Sequence, residues 1–221
     1  MSGSRKTVNP LPPPQSFIGN LSVPPAPARK AGFLMGGRVR YDQFAKGYRT
    51  GLEPVLMAAS IPARSGEMVL EGGCGAGAAL LCLSARIPDV HGVGLESDPE
   101  TQALAEQNIR NNLLSGGIPK LRILQAHLPA IPRSLRALTP TANGRFHHVM
   151  ANPPWHSPSG TPSPDSRRRL ALSAETTAPE EWIRALTKWV LPGGTLTFVL
   201  STAVADRACQ TLLETGCGSI Q

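Results

Sequence analysis

Residues 67–77, EMVLEGGCGAG, pass from a short apolar run into a cluster of glycines, and from residue 76 the apolar side chains change to helical spacing. That switch of period recurs along the chain and leaves few architectures open. Apolar runs at 90–97 (VHGVGLES), 121–127, 146–151 and 195–201 (TLTFVLS) read as further strands. Between them lie helical stretches at 99 to about 114, 131–138 (weak and interrupted by proline) and 178–191 (APEEWIRALTKWVL). Helices at 52–60 and 203–215 flank the series, Asp98-Pro99 puts proline in the first turn of one helix, and Pro192-Gly193-Gly194 reads as the turn out of another. Strands alternating with helices of this length form βαβ units, whose strands lie parallel and are covered on both faces. The fold class expected is α/β, with a doubly wound, mostly parallel sheet.

A chain of 221 residues, 41% hydrophobic and 17% charged, can bury one sizeable core. No stretch is long and apolar enough to cross a bilayer, so no membrane partner is expected, and the N-terminus lacks the apolar block of a secretory signal. Prolines at 12–14, 24 and 25 oppose the amphipathic helix of a transit peptide. Cys74, Cys82, Cys209 and Cys217 form no CxxC pair. That scatter favours reduced thiols in a cytoplasmic protein over a disulfide or metal framework. The net charge of +7 is concentrated at one end, because residues 1–50 carry Arg5, Lys6, Arg29, Lys30, Arg38, Arg40, Lys46 and Arg49 against Asp42 alone. Residues 1–32 read as a Pro-rich basic leader too poor in bulky apolar groups to fold, and 33–221 as the folded domain. In 36–51, Tyr41, Phe44 and Tyr48 interleave with Arg38, Arg40, Lys46 and Arg49, a pattern suited to stacking bases and touching phosphates.

Sheets of this class bind ligands at the carboxyl ends of their strands, where the glycine loop 71–77 lies. Gly73, Gly75 and Gly77 let backbone approach a ligand, and the helix behind them offers free N–H groups. Glu96, at the end of the second strand, suits the hydroxyls of a ribose. The combination indicates an adenosine-containing cofactor, and GCGAGA also satisfies the dinucleotide pattern GxGxxG/A. Glu71 separates the two: its charge repels a pyrophosphate but attracts the ammonium of S-adenosylmethionine.

Residues 152–155, Asn152-Pro153-Pro154-Trp155, can continue neither strand nor helix, since proline lacks a donor and holds its predecessor extended. They form a stiff corner. An exocyclic amine on a base has its lone pair delocalised into the ring. Two acceptors, the Asn152 side-chain oxygen and the Pro153 carbonyl, would free that pair for in-line methyl transfer. Trp155 offers a flat face to a base drawn out of its stack.

With ExGxGxG at 71–77, the acid at 96 and NPPW after the fourth strand of the sheet, the sequence resembles the class I methyltransferases. Within them it is similar to the small-domain group that includes bacterial valine-tRNA adenine-N6 methyltransferases, from about residue 33 onward. The resemblance implies a Rossmann-like sheet and S-adenosylmethionine as cofactor, held by Glu71, Gly73, Gly75, Gly77, Glu96 and Ser97. It also implies RNA, in particular tRNA, as partner, without a metal. Members usually carry an acid at the end of the third strand, where this sequence has His127. Substrate contacts are expected from Arg38, Arg40, Lys46, Tyr48 and Arg49, and from Arg167, Arg168 and Arg169 beyond the corner. His147 and His148 alternate faces without a metal-ligand partner, and Trp182 and Trp189 read as core. Methylation of a protein glutamine, which poses the same lone-pair problem, is the alternative enzyme reading. A catalytically inactive nucleic-acid-binding form of the fold is the alternative outside enzymes. Members of the class continue with two further strands where GSIQ (218–221) begins, so the C-terminal strands are expected to be missing and residues 195–201 to form a bare edge.

Overall fold

The computed structural model describes residues 27–46, 49–113, 120–154 and 178–221. Strands β1 (Arg29–Leu34) and β2 (Val39–Phe44) form an antiparallel hairpin. There follow α1 (Glu53–Ser60), β3 (Met68–Gly72), α2 (Ala78–Arg86), β4 (His91–Glu96), α3 (Pro99–Leu113), β5 (Lys120–Gln125) and β6 (Phe146–Ala151). The chain ends with α4 (Pro179–Leu186), β7 (Val190–Phe198) and α5 (Ala205–Glu214). The second sheet has the order β5-β4-β3-β6-β7, and every neighbouring pair is parallel. The chain therefore winds outward from β3 in one direction through β5, then returns to the other side of β3 to place β6. The point of reversal lies between β3 and β6, where the βα connections diverge and leave a crevice.

The burial pattern explains the parallel arrangement. All five residues of β3 are buried, as are the four central residues of β4, so these strands are apolar on both faces and need helices on each. One face is covered by α1, α2, α3 and the hairpin, with Leu80, Leu83, Met57 and Ile61 fully enclosed. The other is covered by Leu135, Trp182, Leu186 and Trp189, packed on Leu70, Leu95 and Phe146. Each such side chain contributes roughly 1.5–3 kcal/mol by burial, and trimming Leu80 or Leu186 to alanine would cost about 2–5 kcal/mol.

Several expectations meet the structure here. The helix expected over 178–191 ends at Leu186, where Thr187 turns its hydroxyl back to the Ile183 carbonyl, and a single 3-10 turn follows at Thr187–Trp189. Strand β7 then begins at Val190 and runs through Pro192-Gly193-Gly194, which form an irregularity in the β6–β7 register rather than the turn before the strand. Gly193 has φ +78°, and a side chain at Gly194 would lie 2.4 Å from the His147 carbonyl, so the bulge needs both glycines. The weak helix at 131–138 is only a 3-10 stretch, Arg133–Leu138, since Pro132 precedes it and leaves one less donor. Residues 218–221 form no strand, and among the described residues β7 is an outer strand of its sheet. Finally, Tyr41 is 4% exposed, packed in the core with its hydroxyl 2.7 Å from Thr50 Oγ1, so it presents no face to a base. The boundary expected at residue 32 falls inside β1, while residues 1–26 lie outside the described part.

Candidate active site

The loop after β3 carries its glycines in the left-handed region: φ is +65° at Gly73, +55° at Gly75 and +86° at Gly77. At Gly73 a side chain is doubly excluded, because a Cβ would also lie 2.7 Å from the Trp182 ring. At Gly75 a Cβ would meet nothing within 4 Å, so the backbone there faces open space into which a ligand can come close. Glu96, at the end of β4, holds the loop from one side by accepting the Gly75 N–H at 3.0 Å. Its other oxygen accepts the Ser97 and Asp98 N–H groups at 2.8 and 2.9 Å. This fixes the carboxylate at the C-terminal edge of the sheet while Oε2 keeps a free lone pair for a further donor.

Glu71, the last residue but one of β3, lies beneath this loop and is 3% exposed. Burial pushes its carboxyl well above the usual carboxylate range; the Leu80 N–H opposes that shift, and the negative Glu96 adds to it. Its Oε2 is buried with no hydrogen-bond partner. Its own burial, with the same two acids adding to it, pushes the Cys74 thiol well up, so Cys74 is an apolar filler under the loop. On the neighbouring strand, Gly72 pairs with Ala151, so the chain leaves β6 at Asn152 beside the point where β3 enters the glycine loop. Asn152 Oδ1 is likewise buried without a donor. Pro153 is buried and Pro154 half-buried.

Two solved structures share this fold. A precorrin-6y C5,15-methyltransferase from Geobacter metallireducens superposes with a TM-score of 0.55 at 12% identity, covering 80% of this chain and 77% of that one. A methyltransferase from Pyrococcus furiosus superposes with a TM-score of 0.52 at 17% identity, over 80% and 75% respectively. The chain has the class I methyltransferase fold. No family model matches the sequence. A curated relative, the tRNA1(Val) (adenine(37)-N6)-methyltransferase of Bacteroides thetaiotaomicron, is 25% identical over 160 residues, which is 72% of this chain. One from Mannheimia succiniciproducens is 24% identical over 201 residues, 85% of this chain and 77% of that protein. The chain spans 62% of the length of the Bacteroides relative.

The methyltransferase fold calls for S-adenosylmethionine, and the residues present fit it. Glu71 keeps a buried oxygen without a partner, the Gly75 backbone is open, and Glu96 retains an acceptor at the strand end. Ser97 follows Glu96, and Gln125 Nε2 reaches the Ser97 carbonyl at 3.4 Å. His127 stands at the same edge, exposed, two residues past β5 in an isolated bridge with Ala130. Among the described residues no group of three or more His, Cys, Asp or Glu could hold a metal, and no helix is long and apolar enough to cross a membrane.

The expected substrate contacts are not brought together as one set. Arg38 donates to the Ala85 carbonyl at the end of α2, and Arg40 lies 3.7 Å from Asp42, so both have internal partners. Lys46 and Arg49 are exposed. Tyr48, Trp155, Arg167, Arg168 and Arg169 lie outside the described residues. Sequence reasoning missed two participants. Trp182, read as core, is a wall of the glycine loop through its contact with Gly73. Asn108, fully buried on α3, donates to the Ala76 carbonyl inside the loop at 3.0 Å. The only available signal for Asn108 was a polar residue one helical turn before Asn112.

Proposed function

We propose that the protein transfers a methyl group from S-adenosylmethionine to the exocyclic N6 amine of an adenine in RNA, with tRNA as the substrate class. The observation that carries this reading is the carboxamide oxygen of Asn152, buried and without a donor at the end of β6, next to the start of the glycine loop. An acceptor left in that state costs roughly 1–3 kcal/mol, and such a cost is sustained where a substrate donor completes it. The names of the two curated relatives support the adenine in tRNA.

Glu71, the open backbone at Gly75 and the remaining lone pair of Glu96 would hold the cofactor, which supplies an electrophilic methyl group on a sulfonium. Asn152 Oδ1 and the Pro153 carbonyl accept the two amine N–H groups and withdraw the nitrogen lone pair from the ring. The two prolines hold both acceptors still, so their alignment costs no reorganisation when the bond forms. Trp155 stacks on the extruded base. Asn152 is not a base: the proton displaced from the alkylated nitrogen leaves to solvent, and the residue's whole contribution is orientation and charge stabilisation.

The test is incubation of the protein with methyl-labelled S-adenosylmethionine and, in separate reactions, unfractionated tRNA, ribosomal RNA or peptide-release factors, followed by digestion and chromatography. Label recovered as N6-methyladenosine from tRNA supports the proposal. Label in a glutamine of the release factors would replace it, and no label in any substrate, with cofactor binding intact, would overturn it.

A further inference from the structure

The side chains of Asn108 and Asn112 dock the hairpin in the same way and differ in one bond. Asn112 Oδ1 accepts the Arg40 N–H at 3.0 Å, and its Nδ2 donates to the Arg40 carbonyl at 2.8 Å. One turn earlier, Asn108 Oδ1 accepts the Asp42 N–H and its Nδ2 donates to the Asp42 carbonyl, both at 2.9 Å. The two amides thus act as a substitute strand along the edge of β2 that β1 does not cover, satisfying the backbone groups of alternate residues. The third bond separates them. Asn112 spends it inside its own helix, on the Asn108 carbonyl at 2.7 Å, whereas Asn108 spends it on the Ala76 carbonyl of the glycine loop at 3.0 Å.

Asn108 is fully buried, and both of its N–H groups are used, one on the hairpin and one on the loop. It cannot shift toward one without stretching the other bond. The loop is held from its opposite side by the bond from Gly75 to Glu96, and α3 approaches it closely, since a Cβ at Gly77 would lie 3.6 Å from the Ala105 side chain. Across β2, the exposed face carries Phe33, 68% exposed and paired in register with Arg40, a half-exposed cation that also lies 3.7 Å from the carboxylate of Asp42, the residue Asn108 holds.

Resting on the function proposed above, we propose that Asn108 is a positioning residue through which the docked hairpin sets the conformation of the cofactor loop, so that a polyanion held on the hairpin and the cofactor in the loop bind cooperatively. Each ligand orders one end of a shared hydrogen-bonded amide, and coupling of this kind is reciprocal.

S-adenosylhomocysteine is the probe, its affinity measured by calorimetry on the full chain for wild type, Asn108→Ala and Asn112→Ala. Asn108→Ala should weaken binding by roughly tenfold, the loss of one buried hydrogen bond's positioning. Asn112→Ala, which cuts the equivalent dock without touching the loop, should stay within about twofold. Unfractionated tRNA should tighten binding to wild type by about fivefold and leave Asn108→Ala unaffected. A wild-type measurement covers the case in which Asn108→Ala fails to fold: S-adenosylhomocysteine should slow hydrogen exchange at the Asp42 amide more than at the Arg40 amide. Equal weakening by both variants, equal protection of both amides, or no effect of tRNA on wild-type affinity would overturn the coupling while leaving the labelling result standing. Failure of wild type to bind S-adenosylhomocysteine would overturn both proposals.

Discussion

Two polar clusters at opposite ends of the parallel sheet differ in whether their buried groups are paired. At the amino ends of the strands, His148 is 7% exposed with both ring nitrogens engaged, Nδ1 with Thr195 Oγ1 at 2.8 Å and Nε2 with Glu67 Oε2 at 2.9 Å. Glu67 also accepts the Arg64 N–H at 2.7 Å, and His147 Nδ1 accepts the Met68 N–H at 3.0 Å. At the carboxyl ends, Glu71 and Asn152 each keep a buried oxygen with no partner. Hydroxyl, imidazole and carboxylate in a row resemble catalytic machinery more than a lone amide and a buried acid do. Yet the first set is complete in itself and the second is not. Complete networks hold a fold together, and unfinished ones leave room for a ligand to finish them.

This contrast implies that mutations in the two clusters separate catalysis from stability. The largest effect is expected for Asn152→Ala, which should lower turnover by roughly a hundredfold or more while S-adenosylhomocysteine affinity stays within a few-fold, because the lost acceptor acts on the transition state. Single-turnover kinetics with tRNA checks this, and wild-type turnover would remove Asn152 from the mechanism. Next in size is Glu71→Gln. Burial holds the Glu71 carboxyl protonated above its ordinary range, and a cationic ligand requires its charge. Cofactor affinity should therefore climb as pH rises toward the raised value, with a proton released on binding, whereas the glutamine variant should bind roughly tenfold more weakly with that pH dependence gone. Calorimetry in buffers of different ionisation enthalpy reads the proton directly. Without ligand the sign reverses: the folded state binds the extra proton, so this acid lowers stability as pH rises above the ordinary carboxylate range, and Glu71→Gln should melt higher than wild type at neutral pH.

The opposite end should answer only in stability. His148→Ala leaves Glu67 and Thr195 short of a partner and is expected to cost about 1–3 kcal/mol in denaturant unfolding, with cofactor affinity unchanged. Burial raises the Glu67 pKa, but the hydrogen bonds from His148 and the Arg64 N–H outweigh it and leave the group below its ordinary value. Its contribution is therefore present above the ordinary carboxylate range and fades as pH falls through the lowered value, a loss that His148→Ala should diminish. A change in cofactor affinity in this variant would break the division between the ends. The smallest effect is expected from neutralising Lys46 and Arg49, which should flatten the salt dependence of tRNA binding by about one to two units of slope without altering turnover at saturation.

Much of the candidate site was legible because its parts are local. A glycine loop between a strand and a helix, an acid at the end of the next strand and an Asn-Pro-Pro corner are each set by neighbouring residues, whose backbone needs allow few substitutes. The Asn108 bridge was not legible. Its partners, Asp42 and Ala76, lie 66 and 32 residues away along the chain, and an asparagine on a helix gives no sign of which distant backbone it will meet. Trp182 is core, as its spacing indicated, but its contact with the loop was hidden for a related reason: helical spacing places a side chain on a face and does not say that the face meets Gly73.

The alternation of strand and helix periods determined by itself that the sheet is parallel and doubly wound, since those periods dictate which faces must be buried. Composition likewise placed the basic excess ahead of the first parallel strand. Only the tertiary structure decided that β7 starts at Val190 and absorbs Pro192-Gly193-Gly194 as a bulge, because pairing with β6 outweighs the local preference for a turn. It alone decided that Tyr41 is core and Phe33 exposed, since both belong to one hairpin and only docking against the helices selects the face that is covered. Local sequence sets what a segment can form; which of its groups remain unpaired is a property of every segment that comes to rest against it.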